Sequence, residues 1–570
     1  MRILFLTHSF NSLSQRLYVV LRDSGHEVSV EYDINDAVAI EAVDLFQPDL
    51  IIAPFLKRAI PEALWRNHIC LVVHPGIPGD RGPSALDWAI LNDETSWGVT
   101  ILQANAEMDA GDIWASIEFP MRRTSKASLY RNEVADAAVK GISLAIERYQ
   151  QDDFKPTSLN YADENIRGQL RPQMKQADRY IDWDHDDTET VTRKIRSADG
   201  FPGVLDELFG RKMYLYDARP ETKLRGSPGE VIARSGPAVC RATVDGAVWI
   251  GHACDKNNLH PFKLPATQLL CQEARDLPEI FPDHETGYRE IWYEEEGNAG
   301  FLYFNFYNGA MNVAQCHHLR QAFIEAKQQD TKIIVLMGGI DFWSNGMHLN
   351  CIEAAKSASD ESWENINAID DLALEIITTE SHLTIAALQG NAGAGGVFLA
   401  RATDEVWAQE GVILNPHYKD MGNLFGSEYW TYLLQKYAGE EKAQRIIQSR
   451  LPMGVDEAFS LGLVDEVIIT SGVDVIRELK KRVKAMANVP ALSSRIQSRN
   501  LRRAADISRK PLERYREEEL DKMKLNFYGF DPSYHVARYN FVYKIPKSRT
   551  PLTIAHHRNQ KWITSMRNVL

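Results

Sequence analysis

The sequence predicts an α/β multidomain protein, with a Rossmann-like domain, a small OB-like β-barrel and a second α/β domain carrying C-terminal helices. Three observations predict it. Apolar runs of strand length alternate with amphipathic helical stretches at both ends of the chain. Short strands separated by Pro/Gly turns fill the middle. The 570 residues also exceed what one ordinary hydrophobic core holds.

Residues 1–160 form the first predicted domain. Ile3 to Leu6 reads as a buried strand, and Leu13, Leu17, Val20 and Leu21 mark one helical face closed by Ser24-Gly25. His26 to Glu31, Leu50 to Ala53 and Leu71 to Val73 supply further strands between helices, an order that favours a parallel, doubly wound sheet. Function in such sheets gathers at the carboxyl ends of strands, where His74 falls. Residues 161–275 form the β domain, with strands at Lys212 to Asp217, Glu230 to Ala233 and Val248 to Gly251. A linker from Pro278 leads past the acidic run Glu294-Glu295-Glu296.

The third domain spans 276–545. Phe301 to Phe306, Lys332 to Met337, His382 to Leu388 and Asp404 to Gln409 read as its strands, and Val313, Cys316, Leu319, Phe323 and Ala326 as a helical stripe. Residues 546–570 read as a basic tail.

Hydrophobic content of 44% and charged content of 25% are those of a soluble globular protein. A net charge of −14 argues against broad nucleic-acid binding, which needs a basic footprint. No run of about 18 apolar residues offers a membrane span. The opening Met1 to Leu6 is too short for a signal segment, so the expected location is the cytoplasm. The six scattered cysteines include no CxxC pair. His252, Cys254 and His260 match no standard zinc spacing, and no metal is expected. His317-His318 and His556-His557 lack carboxylate company in the sequence.

A histidine at a strand end with a carboxylate on a neighbouring loop is general acid–base machinery, and His74 with Asp109 fits that description. His74-Pro75-Gly76, Arg81-Gly82-Pro83, Leu86 to Ile90, Gly98-Val99-Thr100 and Met108 to Asp112 resemble the 10-formyltetrahydrofolate-dependent formyltransferases in order and spacing. Arg179 to Trp183 and Ile195-Arg196 resemble the start of the carboxyl-terminal domain of methionyl-tRNA formyltransferase. The resemblance implies formyl transfer from folate N10, with His74 and Asp109 catalytic. Folate would lie against Phe55, Lys57, Arg58, Asn105 and Asp112, although Lys57 and Arg58 also read as a solvated surface pair.

The family's Asn two residues before the His is Val72 here. Losing such an oxyanion donor typically costs about 10²–10³ in rate. Either another group replaces it or the acceptor needs less help, as a thiol would.

Thioester chemistry needs two backbone N–H groups aimed at the carbonyl oxygen, and Gly395-Gly396 between a strand and a helical run suits that geometry. Asn308 to Asn312, Phe342 to Leu349 and Gly390 to Gly396 resemble the enoyl-CoA hydratase/isomerase (crotonase) family. The resemblance implies a crotonase-fold domain and coenzyme A thioester binding, with Met347 and Gly395 as N–H donors. The two hydratase glutamates correspond to Phe398 and approximately Asn415, so water addition has no evident acid and base. Glu428, Tyr418, His417 and Tyr429 are candidate proton-transfer groups, and an aromatic packing cluster is the structural alternative for each.

Arg131, Arg196, Ser197, Lys544, Lys547 and Arg549 could hold coenzyme A phosphates, against the default of solvated helix faces. The fusion of these halves resembles the HypX (HoxX) family of NiFe-hydrogenase maturation proteins. That resemblance implies formyl transfer from 10-formyltetrahydrofolate to coenzyme A, then decarbonylation of formyl-CoA to carbon monoxide and coenzyme A. Its implied partners are hydrogenase maturation proteins that receive the carbon monoxide. Two rival readings stay open: a formyltransferase for an amine acceptor fused to a different acyl-CoA lyase, and a non-catalytic folate- and coenzyme A-binding scaffold.

Overall fold

The strand Arg2–Thr7 is buried from Ile3 onward and nucleates the first sheet, while Asn11 caps the following helix Ser12–Asp23 by accepting the Ser14 N–H. The computed structural model describes residues 1–163, 166–257, 261–469 and 473–559, so His260 lies outside the described residues. The chain divides into two compact units, residues 1–288 with the segment from Lys547, and residues 289–546.

In the first unit, Glu27–Tyr32, Arg2–Thr7, Leu50–Ala53 and Cys70–His74 pair in that order, all parallel. The expected all-parallel sheet ends there. Ser96–Gln103 runs antiparallel to Cys70–His74, and Ile113–Pro120 antiparallel to Ser96–Gln103. The reversal has a physical use: the last two strands form a hairpin whose tip carries Asp109 back toward His74. The β domain is an antiparallel sheet in the order Val204–Leu208, Arg211–Glu221, Ala247–Asp255, Ala238–Ala242 and Val231–Ser235, with Leu264–Pro265 pairing to Ala247–Asp255.

The segment expected as a tail has partners in this unit. Ile554 O accepts the Val30 N–H at 2.9 Å, covering the edge strand of the first sheet. The buried Glu31 carboxyl accepts from Thr550, from His557 Nε2 at 2.9 Å and from Arg558 Nε at 2.5 Å. His557 therefore has the carboxylate company that its sequence neighbours lack. Burial pushes the Glu31 carboxyl up, but the hydrogen bonds from His557, Thr550 and Arg558 outweigh it and hold it below the usual 4.5.

In the second unit, Ile291–Glu296 pairs antiparallel with Ala299–Phe304. Ile333–Met337, Leu383–Leu388, Glu405–Gln409 and Glu466–Ile468 then extend the sheet in parallel. The acidic run ends the edge strand, where Glu294 and Glu296 pair with Lys480, each at 2.9 Å. Each of the three central parallel strands is followed by a short strand: Phe342–Ser344, Asn391–Gly393 and Leu414–Asn415. These three pair into a small parallel sheet that draws the three strand-end loops together. The core beneath includes Trp343, Phe398 and Leu414. Among the described residues no helix is long and apolar enough to cross a membrane.

Glu31→Ala leaves His557 buried without its carboxylate partner. Breaking such a pair ordinarily costs about 3–5 kcal/mol. The expected readout is faster hydrogen exchange at residues 27–32 and 550–558. In the parent chain the same exchange should rise in acid. The carboxyl's contribution is complete above its ordinary pKa and is lost as pH falls through the depressed folded value.

Candidate active sites

The strand Cys70–His74 delivers His74 to the carboxyl edge of the first sheet, opposite Thr100. Its imidazole, 4% exposed, lies between two carboxyl groups. Nδ1 is 3.6 Å from Asp109 Oδ1, and Nε2 is 3.2 Å from Asp80 Oδ2.

Asp109 has a left-handed backbone, φ +57°, and its Oδ2 accepts the Gly82 N–H at 3.2 Å. Close approach explains the glycines of the motifs. A Cβ on Gly76 would sit 2.4 Å from His74 Nε2, and one on Gly111 would sit 1.7 Å from Gln103 O. Thr100 Oγ1 donates to Gly76 O at 2.8 Å and Trp97 Nε1 to Pro75 O at 2.9 Å, so Gly98-Val99-Thr100 braces the histidine turn.

Sequence reasoning missed Asp80. The available signal was Gly79-Asp80-Arg81-Gly82, a carboxylate in a glycine-bounded turn six residues after the histidine. It is buried, and its Oδ1 faces Arg171 Nε at 3.7 Å. Arg171 Nε and Nη1 and Asp80 Oδ1 have no hydrogen-bond partner among the described residues. Val72 packs with Leu4, Leu6 and Ala104 in an apolar cluster.

The residues expected to hold folate divide. Phe55 is edge-on to His8 and Tyr130, at 6.1 and 6.3 Å between ring centroids, and Arg131 follows in the same turn. Lys57 is exposed, and Arg58 pairs at the surface with Asp36 at 3.1 Å. Asn105 Oδ1 accepts the Glu107 N–H, and Asp112 Oδ1 accepts from Ser158 Oγ at 2.8 Å, so both shape the hairpin tip. Of the basic stretch before Gly200, Lys194 is paired with Asp186 at 2.5 Å and Ser197 Oγ donates to Lys194 O. Arg196 is half-buried on the same helix. Lys547 has its Nζ 6.0 Å from the Tyr32 ring centre, and Arg549 is exposed.

In the second unit, Met347 bridges Met311, and Met311 N–H donates to Gly346 O at 2.9 Å. Gly395 opens the helix Gly395–Arg401, so its N–H belongs to the first turn, which has no intrahelical acceptor. A Cβ on Gly346 would lie 3.7 Å from Gly395 N, which places the two loops side by side. Glu428 packs directly on Gly395: a Cβ there would be 2.0 Å from Glu428 Oε1 and 3.0 Å from Oε2. Oε2 is occupied by Tyr418 Oη at 2.6 Å and the Ser427 N–H at 3.2 Å. Oε1 therefore faces Gly395.

Burial and then the Asp370 charge push the Glu428 carboxyl up to about 8. Burial first, then Glu428, drives the Tyr418 phenol well above its usual range. Phe398, standing at a hydratase glutamate position, stacks on Tyr418 at 5.4 Å between ring centroids. His417 is buried with Nδ1 unbonded, and the charges acting on it are Asp420 and Arg450. Tyr429 gives its N–H to Glu519. Lys544, on this unit, stacks its ammonium over Phe541 at 4.2 Å. The structure thus brings together Glu428, Tyr418 and Gly395, with Met347 beside them. His417 precedes Tyr418 directly in the chain, and its N–H donates to Asn415 O at 2.8 Å.

Residues 2–146 match the formyl transferase family, 173–260 the formyl transferase carboxyl-terminal domain, and 303–527 the enoyl-CoA hydratase/isomerase family. The hydrogenase maturation factor HoxX of Bradyrhizobium diazoefficiens is 55% identical over 562 residues, covering 98% of this chain and 97% of that protein. A crystal structure of HypX from Aquifex aeolicus in complex with tetrahydrofolic acid is 48% identical, with a TM-score of 0.94 over 98% of this chain and 99% of that one. The methionyl-tRNA formyltransferase of Marinobacter nauticus is 26% identical over 240 residues, 41% of this chain and 75% of that protein.

Gly395→Ala tests the packing of Glu428. Forcing a methyl into a filled space costs about 1–3 kcal/mol, read as a lower midpoint of urea unfolding. An unchanged midpoint would show that the carboxyl has room to retreat.

Proposed function

We propose, for a chain that belongs to the HoxX/HypX family of hydrogenase maturation proteins, that its two sites act in succession to make carbon monoxide. At the first, formyl passes from 10-formyltetrahydrofolate to the coenzyme A thiol. At the second, formyl-CoA is split to carbon monoxide and coenzyme A. The carbon monoxide is destined for the hydrogenase iron through partner maturation proteins. The tetrahydrofolic acid held by the Aquifex aeolicus relative supports folate as the donor.

In the first step the sulfur attacks the formyl carbon, the bond to N10 breaks, and N10 takes the thiol's proton. His74 is the group that carries that proton, and the carboxyls of Asp109 and Asp80 orient its two ring nitrogens. Burial of His74 and Asp80, with Asp109 half-buried beside them, limits the access of water that would compete with the thiol. Arg171, with buried unbonded N–H groups beside Asp80, supplies positive charge on the Asp80 side of His74. Phe55 and the turn with Tyr130 and Arg131 offer an aromatic and basic wall for the folate.

The observation that carries the second step is Glu428 against Gly395, with neither hydratase glutamate present at Phe398 or Asn415. Glu428 Oε1 takes the formyl proton. The C–H electron pair stays on carbon as carbon monoxide forms, and sulfur leaves with the C–S pair. Glu428 then returns the proton to the thiolate, so no water is consumed. Tyr418 holds Oε2 and leaves Oε1 as the basic atom. A carboxyl raised to about 8 is matched to this exchange, because a thiol titrates near 8.5. The N–H groups of Met347 and Gly395 stabilise the oxygen or the departing thiolate.

Incubation with 10-formyltetrahydrofolate labelled in the formyl carbon and with coenzyme A should yield labelled carbon monoxide. An amine acceptor formylated in preference to coenzyme A would overturn this reading. His74→Ala should lower coenzyme A formylation by about 10²–10⁴ while sparing carbon monoxide release from supplied formyl-CoA; loss of both activities would sink the division of labour.

The base must be ionised, so release from supplied formyl-CoA should climb with pH through about 8 and level off above it. A flat profile between pH 6 and 10 would exclude Glu428 as the base, as would an unimpaired Glu428→Gln variant.

A further inference from the structure

Glu428 and Tyr429 are consecutive non-glycine residues in the left-handed region, with φ of +60° and +59°. Such a pair persists only where the surroundings over-determine it. Here two buried carboxyls do so. Asp370 Oδ1 accepts the Glu428 N–H at 2.8 Å, while Glu519 accepts the N–H groups of Tyr429 at 3.0 Å and Thr431 at 2.8 Å. The last two open the helix Trp430–Ala438, so Glu519 caps it from the helix Leu512–Tyr528.

We propose that Asp370, backed by Glu519, is the positioning residue for the Glu428 carboxyl, fixing its direction and its proton affinity together. The proposal rests on Glu428 being the base of the reading above.

A proton count links the two carboxyls. Ser427 Oγ lies 2.7 Å from Asp370 Oδ2 and 3.3 Å from Glu519 Oε2, and a hydroxyl has one proton to give. Both contacts are full hydrogen bonds only when one carboxyl is itself protonated. Both side chains are fully buried. Burial raises Asp370 to about 6, and burial with the Asp370 charge raises Glu519 to about 8, consistent with one shared proton near neutrality. Asp370 is also the leading charge acting on Glu428.

The other groups facing this cluster are few. Arg516 Nε stands 3.8 Å from Asp370 Oδ2 and its Nη1 binds Asp371 at 2.7 Å. Tyr418 faces Glu428 from earlier in the same connection, and Cys316 faces it from the helix Val313–Ala326. Arg516 keeps a charged Asp370 tolerable, and Asp370 in turn discourages charge on Glu428. Glu428 therefore stays in the range where it can both take and return a proton.

The test is Asp370→Asn in the full chain, which keeps an acceptor for the Glu428 N–H and removes the charge. Two readouts are taken: the pH profile of carbon monoxide release from supplied formyl-CoA, and the infrared carboxylic-acid band of Glu428, assigned by its loss in Glu428→Gln. The midpoint should fall in both by about 1–3 pH units, with kcat reduced more than KM. A uniform loss of rate at an unmoved midpoint would mark a merely structural role and overturn the proposal.

Should Asp370→Asn fail to fold, Ser427→Ala removes the link between the carboxyls and should move the infrared midpoint the same way by less. A midpoint equal to the parent's would overturn the proposal. Absence of carbon monoxide from the parent chain would sink the functional reading instead, since the infrared midpoint needs no turnover.

Discussion

Burying a carboxyl group without donors around it is among the costliest things a fold can do, and much of this structure is arranged around meeting that cost. In the second unit three such groups, Asp370, Glu428 and Glu519, are packed together with almost no exposure. Their donors are the N–H groups of a backbone that would otherwise avoid its left-handed turn, together with Ser427, Thr431 and Tyr418. The carboxyls hold the turn, and the turn aims one of them at Gly395. Neither half of that arrangement stands without the other.

The same constraint shapes the first unit. Asp80 and Asp109 bracket His74, with Arg171 behind Asp80. Glu31 collects three side-chain donors from the segment 550–558, and that segment also covers the edge strand of the sheet. In the proposed function the first cluster serves chemistry, while the second ties the segment 550–558 to the strand Glu27–Tyr32. Both are read from which donors surround the oxygen atoms.

The departures from each family's pattern carry as much meaning as the agreements. Phe398, where the hydratase pattern has a glutamate, stacks on Tyr418 and leaves Glu428 as the carboxyl beside Gly395. Val72, where the formyltransferase pattern has an asparagine, packs in an apolar cluster, while Asp80, Asp109 and Arg171 supply the charged groups of the first site. Both changes suit a sequence of steps in which no water is added. In the function proposed above, thiol and thiolate rather than amine or hydroxide are the species handled.

The domain order, most strands and the principal motif residues were legible in the sequence, because strand and helix periods and glycine spacing are local properties. His74, Asp109, Gly395 and Glu428 could be named from the chain alone. What was not legible lies where contact joins residues far apart in sequence. Asp370 and Glu519 look like ordinary members of charged helices, yet they converge on a turn 57–92 residues away. His557 finds Glu31 across 526 residues. The antiparallel hairpin that returns Asp109 to His74 breaks an otherwise parallel order. Sequence determined which groups were available and on which local element each would stand. Only the tertiary structure decided which carboxyls share a buried space, and that sharing sets where a proton can rest.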